Sequence, residues 1–493
     1  MLGVVLLAVL GTIMGPQWDP VPMSDPLAVE TSSTAIGDAG AIGHYAVKTS
    51  VVTVQLDGTT VDARISEPIG LDGPKPGVVF IHGAGTGRYE IAFLAQAKAL
   101  AASGIVAMVP NKRLDTYTTR HRDYVAMASD YDASVKALQA HAGVDPDRVG
   151  VYAESEGGWI APVIAAQDPS LAFVVLVSSP VVPPRQQAGF AVDSYLRNTS
   201  VPHGVFRAIP RAVGMSIPGG GFEYADFDVT PFQRRMHQPV LVVYGTGDAS
   251  MPTIQGALQV IDDTALAGNG DVTVRYYAGA NHGIRVGGVV DADFLRDLSG
   301  WVLGLPATAA SEPRVAGDQP VQTYLASPVA RPLWNTDLVL ALTGLAVTLI
   351  VLGPLAVGVA RGVEVAVDAA RHRPAVPGPR FAHGVLPWLV AVGAGAILTV
   401  VALVWYVVSV ARLALNYERN DLVVHGGWLA VRVLGIAVVL AAVLLARRYR
   451  RARAAGVRPA PGVLRSVVLW GGVVGSGILL VVLAYWGVYQ LGI

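Results

Sequence analysis

The chain has 493 residues, of which 52% are hydrophobic and only 15% are charged, which is a rich apolar fraction for a soluble protein. Its 36 basic and 36 acidic residues balance. The chain therefore lacks the excess of basic residues that would indicate a nucleic-acid partner. Cysteine is absent, which excludes disulfides, thiolate metal sites and a cysteine nucleophile. The length allows two or three domains.

Residues 1–15 begin with an apolar stretch, Met1 to Met14, that has the length of a signal-peptide core. No basic residue precedes this stretch and no clear small-residue cleavage site closely follows it, so a signal peptide and an uncleaved anchor both stay open. We expect export of the following domain in either case. Residues 16–48 are rich in Pro, Gly, Ser and Thr, and they are predicted to form a linker.

Apolar strand candidates alternate with helical segments over residues 49–305, which predicts an α/β domain whose mostly parallel, eight-stranded sheet carries helices on both faces. The predicted strands are residues 51–56, 61–65, 77–81, 105–109, 149–153, 173–177, 240–244 and 272–277. The predicted helices are residues 91–102, 125–142, 159–166, 253–261 and 291–303. A long insertion, about residues 180–237, separates the sixth and seventh strands.

Reactive side chains follow three of these strands. Ser155 follows the fifth strand in a turn of small residues that opens into a helix, the pattern of a nucleophile elbow. Asp248 follows the seventh strand and His282 the last one. Each has a simpler explanation when taken singly, because Ser155 and Asp248 could cap helices and His282 could lie in a plain turn. Together, at strand ends where such sheets bind ligands, they predict a catalytic site.

This arrangement resembles the α/β-hydrolase superfamily over about residues 51–303. It is most similar to bacterial serine hydrolases whose nucleophile segment continues Ser-x-Gly-Gly, a group that includes esterases, thioesterases and some peptidases. The resemblance implies that His282 is the general base for Ser155 and that Asp248 orients the imidazole. It further implies an oxyanion hole made by the backbone N–H groups of Ala84 and Glu156.

The resemblance also implies that the insertion at residues 180–237 caps the active site. Ser155 would attack ester or thioester bonds of a small acyl or lipid-like substrate, and the cleavage would pass through an acyl-enzyme on this serine. Two alternatives stay open: a serine peptidase of the same fold, and a non-catalytic hydrolase-fold binding or receptor domain. No cofactor or metal is expected, since the sequence contains no phosphate-binding loop and no cluster of His and carboxylate residues.

A second linker, residues 306–335, precedes an all-α membrane domain at residues 336–493. Its four apolar runs are long enough to cross a bilayer. The predicted spans are residues 337–360, 384–411, 426–446 and 466–488. The loops at residues 361–380 and 447–465 are rich in arginine, which predicts that both are cytoplasmic. The α/β domain, which joins the opposite end of the first span, is then expected outside the cytoplasm, beside the membrane lipid.

Overall fold

The computed structural model describes residues 2–37, 43–216, 220–334, 336–372, 380–415 and 418–490. The chain divides into two compact units. The sheet unit comprises Pro20–Ser194 and Gly220–Pro328. The helical unit comprises Met1–Asp19, Tyr195–Gly219 and Val329–Ile493.

The strands and helices follow each other much as the apolar pattern predicts. The strands are β1 Val47–Leu56, β2 Thr59–Pro68, β3 Lys75–Ile81, β4 Val106–Pro110, β5 Val144–Glu154, β6 Val174–Val177, β7 Val240–Gly245, β8 Val272–Tyr277, β9 Arg285–Val286, β10 Val289–Val290 and β11 Val315–Gly317. The helices that begin in the sheet unit are α2 Leu94–Ala102, α3 Tyr124–Gln139, α4 Gly157–Gln167, α5 Pro184–Asn198, α6 Thr230–Gln233, α7 Thr253–Leu266 and α8 Ala292–Gly304.

The main sheet has the strand order β1-β2-β4-β3-β5-β6-β7-β8-β11. The pairs β1–β2 and β2–β4 are antiparallel, and every other neighbouring pair is parallel. The inner strands are continuous apolar runs because helices cover both faces, and one hydrophobic cluster lies on each side of the sheet. The carboxyl ends of β5, β7 and β8 therefore lie at one edge, where the three predicted catalytic side chains follow them.

Both predicted linkers contribute ordered structure to the sheet unit. Strand β11 lies within the second of them and adds a ninth strand, parallel to β8. Backbone hydrogen bonds then join the two linkers, from the N–H of Met23 to the carbonyl of Thr323 at 2.9 Å and from the N–H of Glu30 to that of Val315 at 3.1 Å. Edge-strand groups need partners, and these segments supply them. Strand β11 has only three residues, follows Pro313 closely and ends at Gly317. It is too short to show an alternating apolar pattern from which a strand could be predicted.

The helical unit contains α1 Leu2–Ile13, α9 Thr336–Ala370, α10 Val385–Leu415, α11 Gly427–Ala454 and α12 Val463–Tyr485. Within the described residues, four helices are long and apolar enough to span a membrane, and they confirm the four predicted runs. Helix α9 continues ten residues beyond the predicted end at residue 360, because no proline stops it there and an Arg361–Glu364 ion pair of 2.5 Å supports the added turns.

The insertion predicted as a single cap divides between the two units, since residues 195–219 group with the helical unit. The fully buried guanidinium of Arg211 explains this grouping. It donates hydrogen bonds to the carbonyl oxygens of Gly15 at 3.1 Å, Pro16 at 3.3 Å and Tyr485. These carbonyls follow or end helices α1 and α12, where no further helical N–H is available, and a cation there is favourable.

Candidate active site

Ser155 lies in a strained turn between β5 and α4. Its φ of 57° is in the left-handed region, which is uncommon for a residue with a side chain. Small neighbours make the turn possible: a Cβ added to Gly157 would lie 3.0 Å from the carbonyl oxygen of Ile81, and one added to Gly158 would lie 2.6 Å from Cβ of Ser179. Backbone strain of this kind at a strand end is typical of functional sites.

The structure brings Asp248 and His282 together. Nδ1 of His282 lies 2.8 Å from Oδ2 of Asp248, and the aspartate side chain is fully buried while 23% of the histidine side chain is exposed. The other carboxylate oxygen, Oδ1, accepts hydrogen bonds from the N–H of Ser250 at 2.9 Å and from its hydroxyl at 2.6 Å. A carboxylate only accepts hydrogen bonds, so Nδ1 of His282 carries the proton and Nε2 is free to accept one.

The charges of this pair support each other. Burial alone would lower the pKa of His282, but the Asp248 carboxylate and its hydrogen bond raise that pKa above its ordinary value. Burial alone would raise the pKa of Asp248, yet the imidazole and the Ser250 donors hold it below its ordinary value. Asp248 is therefore ionised near neutral pH, and His282 is a stronger base than a free imidazole.

Ser155 and His282 lie at the same edge of the sheet without a direct hydrogen bond. The carboxylate of Glu154, next to Ser155 in the chain, is near enough to His282 to contribute to its raised pKa. In the part of the chain that the structure describes, Oγ of Ser155 makes no hydrogen bond. Catalytic hydrogen bonds are often long in a ligand-free site and tighten when substrate binds.

The two backbone N–H groups predicted to form the oxyanion hole have no hydrogen-bond acceptor among the described residues. Neither the N–H of Ala84 nor that of Glu156 donates a hydrogen bond to another described residue. Gly83, which precedes Ala84, lies against Ser155: a Cβ added there would be 3.1 Å from Cβ and 3.6 Å from Oγ of that serine. Both donors therefore belong to turns that lie against the serine.

His82 holds the turn that contains Ala84. Its ring is fully buried, and burial lowers its pKa to about 4, so the imidazole is neutral. Nε2 lies 2.7 Å from the carbonyl oxygen of Pro110 and Nδ1 lies 3.2 Å from Oγ1 of Thr86. Since a carbonyl only accepts, Nε2 carries the proton, and this histidine is fixed by its neighbours on both sides.

The buried carboxylate of Glu156 is the feature that the sequence analysis missed. It points inward and forms ion pairs with Lys112 at 2.9 Å and with Arg122 at 2.5 Å. Tyr117 donates a further hydrogen bond to it at 2.9 Å. A signal did exist in the sequence, since Lys112 follows strand β4 just as Glu156 follows β5, and the two strands end at one edge.

Within the described ranges, no three His, Asp or Glu side chains are grouped so that they could hold a metal ion. No protein-family profile and no curated protein matches the sequence.

Three of the similar solved structures illustrate that likeness. A candidate dienelactone hydrolase from Klebsiella pneumoniae is 18% identical over 54% of this chain and 99% of its own, with a TM-score of 0.38. A cold-adapted esterase from an Arctic intertidal metagenomic library is 17% identical over 51% and 93%, with a TM-score of 0.34. A candidate dipeptidyl aminopeptidase IV from Bacteroides ovatus is 17% identical over 53% and 35%, with a TM-score of 0.37.

The mostly parallel sheet and the helices on both of its faces are those expected from the sequence, and β11 adds one strand to the eight predicted. The sheet unit is a mostly parallel α/β fold, and four helices of membrane-spanning length follow it in the chain.

Proposed function

We propose that this protein is a membrane-anchored serine hydrolase that cleaves carboxylic ester or thioester bonds through Ser155, His282 and Asp248. The observation that carries the proposal is the 2.8 Å Asp248–His282 pair at the strand ends, with a serine held at a φ of 57° at the same edge of the sheet. Packing alone would not require a buried carboxylate to pair with a partly exposed imidazole. It would also not require a serine to adopt a strained backbone conformation.

The reaction begins when Oγ of Ser155 attacks the substrate carbonyl carbon and Nε2 of His282 takes the hydroxyl proton. Asp248 stabilises the imidazolium that forms. The negative charge that develops on the carbonyl oxygen accepts hydrogen bonds from the N–H groups of Ala84 and Glu156. The carbon–oxygen or carbon–sulfur bond of the substrate then breaks, the leaving group takes the proton from His282, and an acyl-enzyme remains on Ser155.

Water completes the cycle. His282 removes a proton from a water molecule as its oxygen attacks the acyl carbon, and the same proton returns to Oγ of Ser155 as the ester bond to the enzyme breaks. Because His282 must be neutral at both attacks, activity requires a pH above its raised pKa. No cofactor takes part in these steps.

We place the hydrolase outside the cytoplasm. The four membrane-length helices and the arginine-rich loops at residues 361–380 and 447–465 support this orientation, because basic loops stay on the cytoplasmic side. A site tethered in this way would meet amphiphilic acyl compounds near the lipid surface, which favours small acyl or lipid-like substrates.

Turnover by the purified full chain tests the proposal. The substrates are p-nitrophenyl esters of graded chain length, an acyl thioester series and aminoacyl anilides. Ser155→Ala is expected to lower ester or thioester turnover by about 10⁴- to 10⁶-fold, whereas Ser129→Ala, at an exposed serine of α3, is expected to leave it unchanged. Faster cleavage of anilides would identify a peptidase. Folded protein without Ser155-dependent turnover would favour a non-catalytic binding domain.

A further inference from the structure

The geometry points to a specific role for Lys112: we propose that its ammonium group positions both backbone turns that form the oxyanion hole. The inference rests on the proposed hydrolase function and adds a positioning residue to it. Lys112 does not touch the substrate in this scheme. It acts through two residues. Gly83 precedes Ala84, whose N–H is the first donor, and Glu156 carries the second donor on its own backbone.

One ammonium group joins the two turns directly. Nζ of Lys112 donates a hydrogen bond to the carbonyl oxygen of Gly83 at 2.6 Å and another to Oε2 of Glu156 at 2.9 Å. Gly83 immediately precedes Ala84, the donor in the turn after β3. Glu156 is itself the donor residue after Ser155. A single side chain therefore links the two turns that carry the N–H groups.

The carboxylate end of this link is fixed as well. Arg122 donates to Oε1 of Glu156 at 2.5 Å, and the hydroxyl of Tyr117 donates to Oε2 at 2.9 Å. The Lys112 ammonium also lies 4.4 Å from the centre of the Tyr117 ring. With donors on both oxygens, the Glu156 side chain cannot rotate without breaking several hydrogen bonds.

Stability alone is a weak explanation for this arrangement. The side chains of Lys112 and Glu156 are each 1% exposed, and burying both charges costs desolvation that their attraction only about offsets. Well-packed apolar residues would stabilise the same place equally well. What the ion pair adds is a directional link between two backbone turns that are distant in sequence.

The charge balance also suits the reaction. Two cationic groups, Lys112 and Arg122, face the single carboxylate of Glu156, so the cluster behind the oxyanion hole carries a net positive charge. Such a charge stabilises the negative oxygen of the tetrahedral intermediate more than the neutral carbonyl of the substrate. The effect is therefore expected in kcat and in the binding of transition-state analogues, and not in KM.

Lys112→Met keeps the length of the side chain and removes both hydrogen bonds. A misplacement of about 1 Å can cost about 10²-fold in rate, so we expect kcat to fall about 10- to 100-fold while KM changes less than about threefold. The affinity for a trifluoromethyl ketone analogue of the best ester, which binds as a tetrahedral adduct, should fall by the same factor. Lys136→Met is the matched control, since it removes a 2.7 Å pair with Asp168 away from the site and should change neither value.

The assay uses the purified full chain, with the melting temperature measured for every variant. Glu156→Gln is the second test of the same link, and it should lower kcat and analogue affinity in parallel even if Lys112→Met does not fold. Folded variants with wild-type kcat and analogue affinity would overturn the role of Lys112, as would a loss confined to KM. Absence of Ser155-dependent turnover in the wild-type chain would instead overturn the proposed function, and this inference with it.

Discussion

Replacing Asp248 by Asn is expected to put the proton of His282 on the wrong nitrogen. Oδ1 of Asp248 accepts from both the N–H and the hydroxyl of Ser250. An asparagine must keep its oxygen on that side, because its NH₂ group there would face the Ser250 N–H, another donor. The NH₂ group then points at Nδ1 of His282, which must accept, and the proton moves to Nε2.

The magnitude follows from two losses. A hydrogen bond to a charged group is worth about 1.5–3 kcal/mol, which corresponds to about 10- to 150-fold in rate. The wrong tautomer leaves Nε2 without a lone pair for the Ser155 proton, and the equivalent change in a serine protease of another fold costs about 10⁴-fold in kcat. We therefore expect kcat/KM for an ester substrate to fall by about 10³-fold or more.

The assay is the pH dependence of kcat/KM for the wild type, Asp248→Asn and Ser250→Ala. The raised pKa of His282 places the acid limb of the wild type above the ordinary value of 6.5, and loss of the aspartate charge should move that limb to lower pH because burial then dominates. Ser250→Ala keeps the carboxylate and should cost much less than Asp248→Asn. An Asp248→Asn enzyme whose kcat/KM is within tenfold of the wild type, or whose acid limb does not move, would contradict this role of Asp248.

Three further changes test other parts of the account. Glu154→Gln should shift the acid limb to lower pH, because the carboxylate helps to raise the pKa of the imidazole; an upward shift would contradict this. Gly11→Val should lower the melting temperature, since its Cβ would lie 2.1 Å from a carbonyl oxygen of α12, whereas Gly344→Val meets no atom within 4 Å. In this cysteine-free chain, a cysteine at exposed Ser170 should react with an impermeant maleimide on intact cells, and one within residues 447–465 should react only after permeabilisation; the reverse pattern would refute the orientation.

The sheet unit was predictable because parallel strands covered on both faces are continuous apolar runs. The prediction of the site rests on the same feature, since Ser155, Asp248 and His282 each follow the end of such a run within five residues. Their placement at one edge of a parallel sheet needs only the strand direction, not the contacts.

The contacts themselves were not predictable. The ion pair between Lys112 and Glu156 joins residues far apart in sequence, and a glutamate next to Ser155 gives the same sequence pattern whether its side chain points to solvent or inward. Strand β11 has three residues among Pro and Gly, too few for a periodic pattern. The place of Arg211 depends on which carbonyl groups α1 and α12 leave unpaired, which only the packed helices determine.

Fluorophosphonate labelling of the purified full chain, followed by peptide mass spectrometry, asks whether Ser155 is a nucleophile that His282 activates. We expect one adduct, on Ser155, that is lost in Ser155→Ala and forms far more slowly in His282→Ala while both variants stay folded. A folded wild-type chain without an adduct, or an adduct that persists in Ser155→Ala, would contradict this role of Ser155.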